Sequence, residues 1–138
     1  MKTTLKIGLG DACVLWLFGC QLTSGPSDEA LVQGALSSFQ ESLLANDVDG
    51  VLALYSENYA DAQGTTKSAV RTFLTAMSGA GGAAGLQLTI DEAEIVIKDD
   101  GTGTATPVKL VAQGFNITAT ITFTKEEGTW LITSMDMF

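Results

Sequence analysis

The chain has 138 residues, 16 of them acidic and seven basic, for a formal net charge of −9, and it has no histidine. So acidic a surface repels phosphate backbones, and its cations Lys67, Arg71, Lys98, Lys109 and Lys125 are scattered; nucleic acid is excluded as a partner, as is attachment to an anionic membrane by charge. Without histidine the chain lacks the commonest metal ligand and the commonest general base at neutral pH, so no metal and no cofactor is expected.

Residues 1–19 read as a signal peptide. Lys2 and Lys6 open it, an apolar run extends from Ile7 to Phe18, and Gly19 precedes Cys20. Leu17-Phe18-Gly19-Cys20 resembles the bacterial lipoprotein signal, which implies that Cys20 becomes the lipidated first residue of the mature protein. The run is shorter than the ~20 apolar residues of a membrane span and is interrupted by Asp11, so a permanent span is not expected. An ordinary signal peptide, cleaved without a lipid, is the alternative. Gln21 after the cysteine implies, by the same resemblance, sorting to the outer membrane, so an exported, membrane-anchored protein at the outer membrane or periplasmic face is expected. Cys13 leaves with the leader and Cys20 carries the lipid, so no pair remains for a disulfide. About 119 residues, more acidic still once two lysines and one aspartate are removed, must then fold on their core alone.

Residues 20–26 form a lipidated tether, and one domain follows over 27–138. Ser27 is placed to cap a helix whose first turn holds Asp28 and Glu29, where the helix dipole favours acids. Leu31, Ala35, Leu36, Phe39, Leu43 and Leu44 recur at three-to-four spacing and predict its buried stripe, ending near Asn46. Asp47 caps a second, short helix with Val51, Leu54 and Tyr55 inward. After Gly64-Thr65-Thr66 a third helix carries Ala69, Val70, Phe73, Leu74 and Met77 on one stripe and stops at Ser78-Gly79.

From there the period changes to two. Gly79 to Gly85 is a glycine-rich connector; it lacks the Gly-Lys-Ser/Thr of a phosphate loop and follows no strand. Leu86, Leu88 and Ile90 alternate, a bulge is expected near Asp91-Glu92, and the strand resumes through Ile95 and Ile97. Asp99-Asp100-Gly101 marks a hairpin turn. In the next strand, around Ala105 to Ala112, Pro107 predicts an edge or a bulge. Ile117, Ala119, Ile121 and Phe123 share one face of the clearest strand, and Thr118, Thr120, Thr122 and Thr124 share the other. Glu126-Glu127-Gly128 turns the chain into a last strand, Thr129 to Met137. Helices first and strands after is an α+β order: N-terminal helices packed on a curved, mostly antiparallel sheet of four or more strands.

Several segments carry a family resemblance. They are the helix–helix turn from Ala45-Asn46-Asp47 to Leu54-Tyr55, then Tyr59-Ala60-Asp61, the stretch from Gly64 to Leu74, and the closing Gly128-Thr129-Trp130-Leu131-Ile132. Over most of residues 27–137 the chain resembles the nuclear transport factor 2-like (NTF2-like) superfamily, an α+β cone shared with ketosteroid isomerases and polyketide cyclases. The resemblance implies a pocket between the helices and the concave sheet face, with Tyr55, Tyr59, Phe73, Met77 and Phe115 lining it. It also implies Asp61 as a carboxylate base with Tyr55 or Tyr59 as hydrogen-bond donor, and pairing of two copies through their sheets. The histidine that cyclase-like members often employ is absent. Read from the residues themselves, Tyr55 is a core tyrosine and Asp61 a turn residue ahead of a glycine-containing loop.

Three motifs are set aside. Asp47-Val48-Asp49-Gly50 opens like a calcium loop, but its glycine is fourth rather than sixth and Asn58 stands where glutamate is needed. Asp91, Glu92 and Glu94 read as a solvated acidic edge rather than a cation site. Asn116-Ile117-Thr118 matches a glycosylation pattern but lies within a strand. The leading expectation is an exported, lipid-anchored binding or interaction module without catalysis, taking a small apolar ligand or a protein partner. The rival is an isomerase- or cyclase-like enzyme using Asp61 with Tyr55 or Tyr59.

Overall fold

Three helices precede five strands in the computed structural model, which describes residues 26–112 and 114–138; the expected leader and Cys20 lie outside the described residues. Helix α1 spans Asp28–Leu44. Ser27 caps it, its hydroxyl accepting from Ala30 N at 3.2 Å. Val32, Leu36, Phe39 and Leu43 form the buried stripe. Leu31 and Leu44, expected inside, are 40% and 42% exposed. Each lies one residue, roughly 100° of rotation, from the true stripe, which Val32 takes instead. The helix ends in a Schellman motif: Asn46 is left-handed with φ 60, and Asn46 N and Asp47 N donate to Leu43 O and Ser42 O at 3.2 and 2.9 Å.

Helix α2, Val48–Leu52, starts at once. Asp47 caps it by accepting from Gly50 N at 3.0 Å. A Cβ at Gly50 would run into the Asp47 carboxylate and the Ser42 hydroxyl, so the Asp-Val-Asp-Gly sequence serves a tight corner. Val51 and Leu52 are buried. Tyr55 is buried too, but not on a helical stripe: the helix is over, and Tyr55 bridges Ile132 in an extended segment, with Leu54 half-buried. Helix α3, Lys67–Gly79, is capped by Thr66 and packs chiefly on α2 rather than on the sheet. Leu74 is its buried residue, and Phe73 is 65% exposed.

Strands β1, Gln87–Thr89, and β2, Glu94–Ile97, pair antiparallel with the same edge of β3, Thr102–Ala112. The expected bulge is a full break between them. Thr89 lies opposite Lys109 and Glu94 opposite Thr106, so residues 90–93 face two residues of β3. There Pro107, after a cis peptide bond, sits where β3 also slips register against β4 between Ala105 and Val108. The expected irregularity is present, but β3 is an interior strand rather than an edge, and the bulge is what accommodates a proline with no N–H.

Strands β4, Phe115–Glu126, and β5, Thr129–Met137, complete the sheet in the order β1/β2, β3, β4, β5. Glu127 and Gly128, with φ 51 and 82, form the two-residue turn between them, the type I′ geometry that matches strand twist. Residues 54–60 cover the free edge of β5: Ser56 N donates to Ile132 O at 2.9 Å, Ile132 N to Leu54 O at 2.8 Å, and Ala60 N to Thr133 O at 3.1 Å. The inward face supplies Ala105, Val108, Ile121, Phe123 and Ile132 to a core closed by Val32 and Leu36 of α1. The outward face carries threonines in register. Thr102 lies opposite Thr124, Thr104 opposite Thr122, and the Thr120 hydroxyl donates to that of Thr106 at 2.9 Å.

Candidate functional site

Helix α1 covers only part of the concave sheet face. Beneath Phe39 and Leu43, toward its C-terminal end, an apolar cleft of about 50 Å³ opens. Its floor is Val108 and Leu110 of β3 with Ile117, Ala119 and Ile121 of β4. Leu88 and the two methionines Met135 and Met137 close the sides. Alternation along each strand turns these side chains inward. The space exceeds the ~10–15 Å³ that admits one water, yet no lining side chain offers the polar partners that hold a buried water. It is smaller than the roughly 300–1,000 Å³ of sites that enclose a drug-sized molecule. Such a space suits a small apolar group.

The residues expected to line a pocket lie elsewhere. Phe73 points outward on α3, and Phe115 is 50% exposed at the start of β4. Met77 borders a shallow notch with Leu43, Asn46 and Leu74. For Phe73 and Met77 the physical reason is the seat of α3, which rests on α2 and so cannot present its stripe to the sheet.

Tyr55, Tyr59 and Asp61, by contrast, are brought together beside the β5 edge. The two tyrosine rings lie with centroids 4.8 Å apart, and Phe39, which lines the cleft, lies 6.4 Å from Tyr55. The Tyr59 phenol faces the Asp61 carboxylate, whose charge acts on it. Asp61 Oδ1 accepts from Thr65 N at 2.8 Å and Gln63 N at 3.0 Å, closing the loop that leads into α3. Burial pushes the Tyr59 phenol up to about 12, with the Asp61 and Asp136 carboxylates adding to it. Burial likewise raises Tyr55 far above the ordinary tyrosine value. For Asp61 burial acts upward, but the hydrogen bonds from Thr65 and Gln63 outweigh it and leave the carboxyl below its ordinary value. The cluster therefore holds two protonated phenols beside a stabilised carboxylate, which makes a good hydrogen-bond acceptor and a weak base.

Asp136, Phe39, Met135 and Met137 are site residues that the sequence reading missed. The β4–β5 ladder slips register between Thr122 and Phe123, so Met135 faces Ile121 and Met137 faces Ala119 on the inward side. The acidic edge is held by an ion pair between Glu92 and Lys109. Among the described residues no group of three or more His, Cys, Asp or Glu side chains is placed to hold a metal.

In backbone the chain is similar to several solved structures. One is an NTF2-like protein of unknown function from Pseudomonas putida, at 16% identity and TM-score 0.64, covering 82% of this chain and 88% of that one. A second is a protein of unknown function with a cystatin-like fold from Nostoc punctiforme, at 18% identity and TM-score 0.60, covering 80% and 89%. A third, from Streptomyces avermitilis, is described as a candidate dehydratase of the NTF2-like family, at 15% identity and TM-score 0.60, covering 80% and 94%. No protein-family model matches the chain. No curated protein matches it in sequence. Helices laid on a curved antiparallel sheet of five strands give this chain the NTF2-like α+β cone fold.

Proposed function

We propose that the chain is an exported, lipid-anchored binding module without catalytic activity of its own, which takes a small apolar ligand in the cleft beneath α1. The observation that carries this reading is the lining of the cleft, ten side chains of which none is polar. Acid–base catalysis needs a titratable group within roughly 2.6–3.2 Å of the reacting proton, or one water away. The cleft offers burial instead, worth about 25 cal/mol per Å² of apolar surface. The leader and Cys20 are the basis for the proposed address, the outer membrane or periplasmic face. A second copy is the proposed partner on the outward sheet face, where the threonines Thr104, Thr106, Thr120 and Thr122 form a patch flanked by Glu94 opposite Thr106 and Asp136 opposite Thr120.

Native mass spectrometry of protein purified gently from its host tests the binding reading. A co-purifying small molecule that is lost in Ala119→Leu is the expected result; a bare chain in both contradicts it. The anchor has a separate test. Cys20→Ser should release the protein from the membrane fraction and abolish acyl labelling, and unchanged association would rule out lipidation there.

One observation favours a second reading. The Tyr59 phenol beside Asp61 places a carboxylate next to a phenol, as an isomerase- or cyclase-like enzyme requires. In that reading Asp61→Asn abolishes turnover of an enolisable ketone while leaving the fold intact; equal rates in both proteins dismiss it.

A further inference from the structure

Helix α3 packs Leu74, Val70 and Met77 on the core but leaves the outer edge of its apolar stripe, at Phe73, without a partner inside the domain. Leu74 is buried, Val70 and Met77 are half-buried, and Phe73 is 65% exposed. The charge pattern marks the same face. From Thr72 to Ile90 no residue is charged, in a chain with 16 acids. The two charges on α3 are both cations. Lys67 is held by Tyr55 O at 3.1 Å and Glu57 at 2.5 Å; Arg71 lies 3.6 Å from Asp49, the carboxylate at the rim. The hydroxyls of Thr72 and Thr75 turn back onto Ser68 O and Arg71 O at 3.2 and 2.8 Å. Beyond the helix, Ala80, Gly81, Ala84 and Gly85 are exposed and uncharged. Asn46 ties the connector to the end of α1, its Nδ2 donating to Ser78 Oγ at 2.9 Å and its side chain lying against Gly82.

The chain that precedes α1 says what can reach this face. If Cys20 carries the lipid, Gln21–Pro26 are six residues that span at most about 20 Å. The 13 residues of α3 extend over about the same length. The start of α3 also lies at the tethered end of the domain. Asp28 bonds Lys125, Ser56 bonds the neighbouring Glu126, and Lys67 reaches Tyr55. A domain held so close to a bilayer presents some face to it, and exposed carboxylates are repelled by anionic headgroups over about a Debye length. Resting on the lipid-anchor reading, we infer that the face made by α3 and the Gly79–Gly85 connector lies against the lipid surface, with Phe73 at the boundary of headgroups and acyl chains. Apolar contact held down by an anchor, rather than charge, makes the attachment; Phe73 adds a second signal to the lipid.

The test uses the processed chain, purified from host membranes and reconstituted in phosphatidylethanolamine–phosphatidylglycerol vesicles with or without a doxyl-labelled lipid. Phe73→Trp is compared with Val96→Trp, which sits 44% exposed on the outward sheet face, with Trp130 as the shared background. The doxyl lipid should reduce the added emission of Phe73→Trp by about two-fold or more and leave that of Val96→Trp unchanged. Equal quenching of both, or of neither, in protein that floats with the vesicles overturns the assigned face and leaves the anchor standing. Protein that does not float overturns both. Emission of Phe73→Trp that shifts to the blue with protein concentration in lipid-free Cys20→Ser protein puts a second copy on the face and overturns the lipid assignment.

Discussion

Asp28 Oδ1 accepts a hydrogen bond from Trp130 Nε1 at 3.2 Å, joining the first turn of α1 to the start of β5 across 102 positions of chain. Lys125 Nζ donates to the same oxygen at 2.9 Å. The Lys125 bond, then the Trp130 bond, hold the Asp28 carboxyl below its ordinary value of 3.8. A carboxyl depressed by folding stabilises the native state above its unfolded value, and that contribution is lost as the pH falls through the folded one. Asp28→Ala should lower the urea midpoint at pH 7. Asp28→Asn, which keeps an acceptor for Trp130, should lose less stability than wild type between pH 4 and 2. Identical acid limbs for wild type and Asp28→Asn would show that the pair contributes nothing.

The centre of the core is Ile121 and Phe123 on β4 against Leu36 of α1, all fully buried. Ile121→Ala should cost about 3–4 kcal/mol in denaturant unfolding. Leu31→Ala should cost about 0.5 kcal/mol or less, since Leu31 is 40% exposed. Equal costs would restore the stripe read from spacing.

That pair shows where the sequence was legible. The caps Ser27, Asp47 and Thr66 could be read because capping is local chemistry, and β4 because its alternation is unbroken. The edges of the α1 stripe could not, because a three-to-four spacing fits Leu31 with Ala35 as well as Val32 with Leu36. The α3 stripe is real as a period, but its enclosure depends on what α3 packs against. The cleft was hidden for a third reason. Unbroken alternation from Trp130 and Ile132 would turn Ser134 and Asp136 inward, whereas the β5 register shift turns Met135 and Met137 inward instead. The Tyr55–Tyr59–Asp61 grouping was legible because its members lie within one short loop; its place beside Phe39 of the cleft lining was not.

Two glycines should respond to alanine with opposite signs. Gly34 lies mid-helix on α1, where a Cβ meets nothing within 4 Å, so Gly34→Ala should stabilise by about 0.5–1 kcal/mol. Gly50→Ala drives its Cβ into the Asp47 cap and should destabilise by about 1–3 kcal/mol. Stabilisation by both in thermal unfolding would mean that the α1–α2 corner relaxes freely.

The chain has two tyrosines, and both are buried. With Tyr59 pushed up to about 12 and Tyr55 also raised, folded protein should show little tyrosinate absorbance at pH 10.5. Unfolded tyrosines ionise near 10, so stability should fall as the pH rises past that value. A half-titrated signal near pH 10 in native protein would contradict the burial.

The central claim is that the cleft beneath α1 is a dry, apolar binding site. Xenon, smaller than the benzene that a cavity of roughly 150 Å³ admits, is a suitable probe, and methyl NMR of Met135 and Met137 reads the cleft walls directly. Wild type should show saturable shifts at these two methyls, and Ala119→Leu should abolish them. By filling about 50 Å³, the same substitution should stabilise the fold by at most about 1 kcal/mol. Shifts that never saturate, or that persist unchanged in Ala119→Leu, would contradict the account.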